Sequence, residues 1–80
     1  IEAVGTVIKS EPWGDSWLLQ VKIPDNLLRY VWPKGSIALH GVSLTVNKVE
    51  SSALEVCLIP ETLKRTNLGQ FKSGDFIYIE

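Results

Sequence analysis

The sequence predicts a small all-β domain: an antiparallel barrel or sandwich built from six short strands. Three observations lead there. Runs of alternating apolar and polar residues recur at roughly 8–15-residue spacing, which suits short strands joined by turns. The runs are separated by residues that favour turns, such as Pro12, Gly14 and Asp15, or Pro33 and Gly35. Only two stretches change to helical residue types, and both are short. A closed barrel leaves no edge strand exposed, but spacing alone does not choose it over a sandwich.

Ile1 to Ile8 reads as the first strand, with Gly5 marking a bulge or bend. Lys9 to Ser16 reads as a turn region. Trp17 to Ile23 returns as a strand with Trp17, Leu19, Val21 and Ile23 on one face, pairing with the first as a hairpin. Pro24 to Val31 then changes period, and Pro24 and Asp25 ahead of Leu27, Leu28 and Val31 predict a short helical segment. Trp32 to Gly35 is a turn, and Ser36 to Leu39 a short strand with Ile37 and Leu39 inward.

From Val42 to Asn47 the alternation is strict. Val42, Leu44 and Val46 take one face, and Ser43, Thr45 and Asn47 the other. The Ser43 and Thr45 hydroxyls therefore project on one side, roughly 7 Å apart. After the turn at Glu50 to Ser52, Ala53 to Ile59 puts Leu54, Val56 and Leu58 inward and Glu55, Cys57 and Ile59 on the opposite face. Pro60 has no N–H for a ladder and ends the strand. Glu61 to Arg65 has the residues of a short helix, whose first N–H groups lie beside the strand carrying Ser43 and Thr45. Lys72 to Asp75 forms the last turn, and Phe76 to Ile79 the last strand. The expected interior is Leu19, Val21, Ile37, Leu39, Val42, Leu44, Val46, Leu54, Val56 and Leu58.

Composition narrows the function. Eighty residues make one domain that buries about 60% of its unfolded surface, so its core is modest and partners are expected. A net charge of −1 lacks the basic footprint of a nucleic-acid binder. One cysteine excludes an internal disulfide, and with one histidine the chain cannot build a zinc site. No apolar run approaches the roughly 18 residues of a membrane span. Neither a signal region, a glycine-rich phosphate loop nor a Ser-His-acid arrangement is present, and a cytoplasmic location is expected. The chain begins at Ile1 rather than Met, so a processed chain or one cut from a longer one is expected.

Two blocks remain: Gly41-Val42-Ser43-Leu44-Thr45-Val46, and the twelve residues Leu58-Ile59-Pro60-Glu61-Thr62-Leu63-Lys64-Arg65-Thr66-Asn67-Leu68-Gly69. Together they closely resemble the lumazine-binding repeat of riboflavin synthases. The likeness is strongest from Tyr30 to Gly69 and extends over nearly the whole chain. Family enzymes carry two repeats in tandem, and this chain looks like the second, C-terminal one.

The resemblance implies a six-stranded Greek-key barrel and a role as one half of a longer two-repeat chain. It implies dismutation of two molecules of 6,7-dimethyl-8-ribityllumazine to riboflavin and 5-amino-6-ribitylamino-pyrimidinedione by four-carbon transfer, without metal or cofactor. It further implies a site shared between two barrels of neighbouring subunits, in a homotrimer. Ser43 and Thr45 match hydroxyls that face the ligand. Ile59, Pro60, Glu61 and Thr62 match the segment that meets the ring carbonyls, and Lys34 a lysine near the ring or ribityl edge. Ser43 and His40 are the catalytic candidates.

Each of these residues also has a plain structural reading. Ser43 and Thr45 suit a solvated strand face, Pro60 and Thr62 a helix start, and Lys34 a solvated turn. His40 stands where the family usually has an acidic residue before the glycine. An imidazole can move protons near neutral pH, but a lone histidine is as readily structural. Cys57 reads as a buried or half-buried structural cysteine. A non-catalytic lumazine- or flavin-binding protein is the alternative. A flavoreductase barrel fits less well, because no Arg-x-Tyr-Ser-like motif is found.

Overall fold

The computed structural model describes residues 3–80, apart from the side chain of Leu28. Ile1 and Glu2, at the start of the first expected strand, and the apolar side chain of Leu28 lie outside the described residues. The strands are β1 (Ala3–Trp13), β2 (Ser16–Lys22), β3 (Ser36–Leu39), β4 (Val42–Glu50), β5 (Ala53–Leu58) and β6 (Phe76–Ile79). One α-helix, α1 (Pro60–Arg65), follows β5, and 3₁₀ turns occupy Asp25–Tyr30 and Leu68–Gln70.

All the pairings are antiparallel, and the order β1-β2-β5-β4-β3-β6 closes into a barrel. The consecutive hairpins β3-β4-β5 with β2 returning beside β5 make a Greek key. The seam between β3 and β6 is narrow. Leu39 faces Ile79, and the His40 N–H donates to the Tyr78 carbonyl at 2.9 Å.

Alternation fills the interior. β2 contributes Leu19 and Val21, β5 Leu54, Val56 and Leu58, β3 Ile37 and Leu39, and β6 Ile77 and Ile79. Leu68, from the turn after α1, is fully buried among them. Val42 and Leu44 only pack against this core and stay half-buried, because β4 parts from β5 along that stretch. Trp17 is also half-buried against the core, and its indole N–H donates to Ser10 Oγ at 2.7 Å.

Three local expectations are corrected. Lys9 to Trp13 is strand, not turn, since β1 pairs with β2 up to Trp13↔Ser16. The turn shrinks to Gly14-Asp15, with Gly14 at φ +63° as a tight hairpin requires. Pro12 is tolerated because β6 pairs only with Ala3 to Thr6, so its missing N–H breaks no ladder on that side. The β1 bulge falls at Ile8, between Val7 and Lys9, rather than at Gly5. Gly5 instead marks a close approach: a Cβ there would lie 2.6 Å from Val21 Cγ1 and 2.9 Å from the Lys22 carbonyl oxygen. Finally, the segment after Pro24 is a 3₁₀ turn, from which Leu27 is buried.

Candidate functional site

A bulge opens the groove. β4 and β5 pair from Glu50↔Ala53 back to Val46↔Val56, with the register slipping at Asn47. Beyond Val46 the first half of β4 pairs only with β3, through Thr45↔Ser36 to Val42↔Leu39. Ladder hydrogen bonds alternate sides along a strand. The Val46 N–H and C=O both engage the Lys34-Gly35 turn on the β3 side. The N–H and C=O of Ser43 and Thr45 therefore turn toward the parted β5, where the register gives them no partner. β5 ends at Leu58, Ile59 follows in extended backbone as the N-cap residue, and Pro60 starts α1.

The space between is a groove of about 610 Å³, lined by Lys34, Ser43, Thr45, Asn47, Cys57, Ile59 and Thr62, with Leu44 and Val46 at its base. This is the size of a small-molecule site. Ser43, Thr45 and Asn47 come from one strand face by the period of two. Asn47 is fixed by its amide, which donates to Glu55 Oε2 at 2.8 Å, while Gln20 donates to the other carboxylate oxygen at 3.1 Å.

Lys34 arrives by a strained route. Its φ is 68°, uncommon for a residue with a side chain, and the turn is held by its N–H on the Val46 carbonyl at 2.7 Å. Among the described residues its ammonium joins no ion pair, so its charge is available to the groove. On the far wall Ile59 is an exposed apolar side chain. It precedes α1 without a side-chain cap, and Pro60 at the first helical position carries no N–H. The Leu63 N–H already bonds the Ile59 carbonyl at 3.1 Å, which leaves Glu61 and Thr62 as the donors at this helix start.

The structure thus gathers Lys34, Ser43, Thr45, Ile59 and Thr62 and separates three other candidates from them. Pro60 and Glu61 face a different depression with Lys64 and Arg65, and Glu61 pairs with Arg65 at 3.1 Å. His40 lies outside the groove as well. With Gly41 it forms the two-residue turn between β3 and β4, at φ 52° and 79°. Two positive φ values define a type I′ turn, which favours Asn or Asp before Gly and also accepts His in the left-handed region. Its Nδ1 accepts the Tyr78 N–H at 3.1 Å, and its ring meets Phe71 edge-on at 4.9 Å. An acidic residue before this glycine would serve the same turn.

A family model described as "Lumazine binding domain" matches residues 1–80. The chain belongs to the lumazine-binding domain family. It is 36% identical over 80 residues to a riboflavin synthase of Actinobacillus pleuropneumoniae, and 42% identical over 77 residues to one of Chlamydia muridarum. These matches cover 100% and 96% of the chain but 37% of each relative, so the chain spans well under half the length of the curated relatives it matches. The crystal structure of LumP complexed with 6,7-dimethyl-8-(1'-D-ribityl) lumazine superposes with a TM-score of 0.92 at 23% identity, over 98% of this chain and 44% of that one. That likeness establishes the barrel. No helix among the described residues is long and apolar enough to cross a membrane.

Two groove residues of this lumazine-binding domain escaped the sequence reading. Asn47 continues the period of Ser43 and Thr45, so the signal was present. Cys57 was expected to be buried or half-buried, and that is corrected: it is an exposed free thiol on the groove wall. Leu54, Val56 and Leu58 take the inner face of β5, so Cys57 must point out with Ile59.

Proposed function

We propose that this barrel holds 6,7-dimethyl-8-ribityllumazine, or its product riboflavin, in the groove, and so supplies half of a riboflavin-synthase active site. The observation that carries the reading is the convergence of three hydroxyls, a lysine ammonium and an apolar wall in one open groove. A flat heterocycle with carbonyls on one edge and a polyol tail needs that combination. Ile59 offers a surface for the ring, and the N–H and hydroxyl of Thr62 at the helix start offer donors to ring carbonyls. The Ser43 and Thr45 hydroxyls and unpaired backbone suit polar edges, and Lys34 meets an oxygen-rich part of the ligand at the rim. Because α1 has only six residues, specific hydrogen bonds rather than a helix field would do the binding.

Dismutation needs two similar ligands stacked in opposite orientation, since alignment lowers the barrier of a two-substrate step. One open groove holds one ligand. A second barrel over the groove, from a neighbouring subunit or the other repeat of a longer chain, supplies the second. Family likeness favours a homotrimer of two-repeat chains in the cytoplasm, with this chain as one repeat.

The alternative is binding without turnover. It is favoured by the groove itself: no carboxylate or imidazole is among its lining residues. Both His40 and Glu61 are elsewhere, so the proton removed from the ligand's methyl group has no strong base here. In the first reading that base comes with the second barrel. Ser43 then acts on the neighbouring ring carbon by positioning a nucleophilic water, and His40 acts only where the partner brings a ligand to it.

One titration tests both readings. Lumazine fluorescence reports binding, and visible absorbance reports riboflavin formation. Saturable binding with riboflavin formation on addition of a second barrel supports the half-site. Binding without turnover under every pairing supports the alternative, and no binding rejects both.

A further inference from the structure

The bulge that opens the groove also sets the face of Asn47. Side chains along β4 alternate as far as Val46, which points inward and is buried. Asn47 and Lys48 then both turn outward before Val49 packs against the core again. A slip of this kind sets two residues of one strand opposite one of its partner, here Asn47 and Lys48 opposite Glu55. Lys48 is taken up by Glu50 in an ion pair. Asn47 is left beside Glu55 at the closed end of the groove, where β4 and β5 rejoin.

Glu55 decides which way the Asn47 amide faces. Each of its carboxylate oxygens receives one amide: Asn47 Nδ2 donates to Oε2 at 2.8 Å, and Gln20 Nε2 to Oε1 at 3.1 Å. An ionised carboxylate only accepts, so a turned-over Asn47 amide would set oxygen against oxygen. Asn47 Oδ1 is thereby held away from Glu55, and among the described residues no hydrogen bond reaches it. It is an acceptor on a groove-lining residue, with its orientation imposed from behind.

We propose that Asn47 is a specificity-determining residue: its Oδ1 accepts a hydrogen bond from a hydroxyl of the ligand's ribityl tail, with Glu55 and Gln20 as positioning residues behind it. The inference rests on the groove reading above and adds the direction in which the ligand lies. Ile59, the exposed apolar surface suited to the ring, stands three residues beyond Val56, where the β4 pairing ends. That is roughly 10 Å at about 3.3 Å per residue. A ring placed against Ile59 and Thr62 therefore sends its tail toward the rejoined strands. The lining there is polar: Thr45, Asn47 and Lys34, whose turn is tied to Val46. The Lys34 ammonium only donates, and Asn47 Oδ1 only accepts. Hydroxyls do both, so a polyol satisfies the two groups. A hydrocarbon tail satisfies neither, and a carbonyl edge satisfies the lysine alone.

Two flavins test this by fluorescence titration: riboflavin, and lumiflavin, which has the same ring system with a methyl group in place of the ribityl tail. Circular dichroism confirms the fold of each variant. Asn47→Leu removes the acceptor at nearly constant size. It should weaken riboflavin binding about fivefold, the scale of one net hydrogen bond, and leave lumiflavin binding unchanged. Glu55→Gln can donate as well as accept, so it frees the Asn47 amide to turn over. It should weaken riboflavin binding by a smaller factor, again without effect on lumiflavin, and it adds no apolar group to the surface should Asn47→Leu fold poorly. Equal losses for the two flavins would put the acceptor under the ring and overturn the inference. Riboflavin affinity unchanged in both variants would overturn it too. Thr62→Val separates this result from the groove reading, because it removes a donor to the ring and should weaken both flavins alike. If it does so while the Asn47 and Glu55 variants leave riboflavin binding unchanged, the groove stands and the role of Asn47 falls. If the unmodified chain binds neither flavin, both fall.

Discussion

Thr62 and Ser43 reach the groove from different elements, one from α1 and one from β4, so each reports a different wall. Thr62→Val keeps the shape and removes one hydroxyl. It should weaken lumazine binding by about 1 kcal/mol, the net scale of one hydrogen bond, and Ser43→Ala by a similar amount. Fluorescence titration measures both, and unchanged affinity in both variants would remove the ligand from this groove. His40 makes a separate case. Its backbone is left-handed, so His40→Val should cost about 1–3 kcal/mol in urea denaturation, the range for residues forced into such conformations. His40→Asn should cost far less, since asparagine suits the turn. Ser43 and Thr45 were legible because a period of two is visible in a string of letters. The place of His40 was not, because whether a turn residue points into a groove or onto β6 depends on the neighbouring strand, Tyr78 included.

Among the elements, β4 does two jobs, and its two halves differ for that reason. The Val46 half is locked to β5 and buries its apolar side, whereas the Val42 half leaves β5 and only half-buries Leu44. Leu54→Ala, at 1% exposure in the locked region, should cost about 2–5 kcal/mol in urea denaturation, and Leu44→Ala should fall at or below the lower end of that range. Equal costs would mean that the strand is not parted. At Gly5 the backbone carbonyl of Lys22 cannot move aside as a side chain can, so Gly5→Ala should destabilise by about 1–3 kcal/mol, the usual cost of overpacking. Strand count, strand faces and the helix after Pro60 were all legible, because each rests on local alternation or on proline. The Asn47 bulge was not, since a slip in register is a property of two strands at once and Asn47 alone keeps perfect alternation. The reach of β1 to Trp13 was hidden for a related reason: Pro12 reads as a turn residue until it is known that no strand needs its N–H.

On the scale of the molecule, a barrel of 32 × 24 × 21 Å has no interior room for a ligand, because its core is filled from Leu19 to Ile79. Any ligand must sit on the outside, where a groove open to water shields only one face of a flat ring. On the proposed half-site reading, full enclosure and the second substrate of a four-carbon transfer both come from another barrel laid over the groove. Binding and turnover should therefore respond differently to concentration. Lumazine affinity per barrel should be independent of protein concentration once ligand depletion is corrected. Riboflavin formed per barrel should instead rise with concentration, because two grooves must meet. Ile59→Glu should abolish that rise together with binding. Initial rates of riboflavin absorbance across a dilution series, paired with sedimentation at each concentration, decide the matter. Full turnover in a fraction shown to be monomeric would mean that one groove holds both substrates, and the half-site would have to be given up.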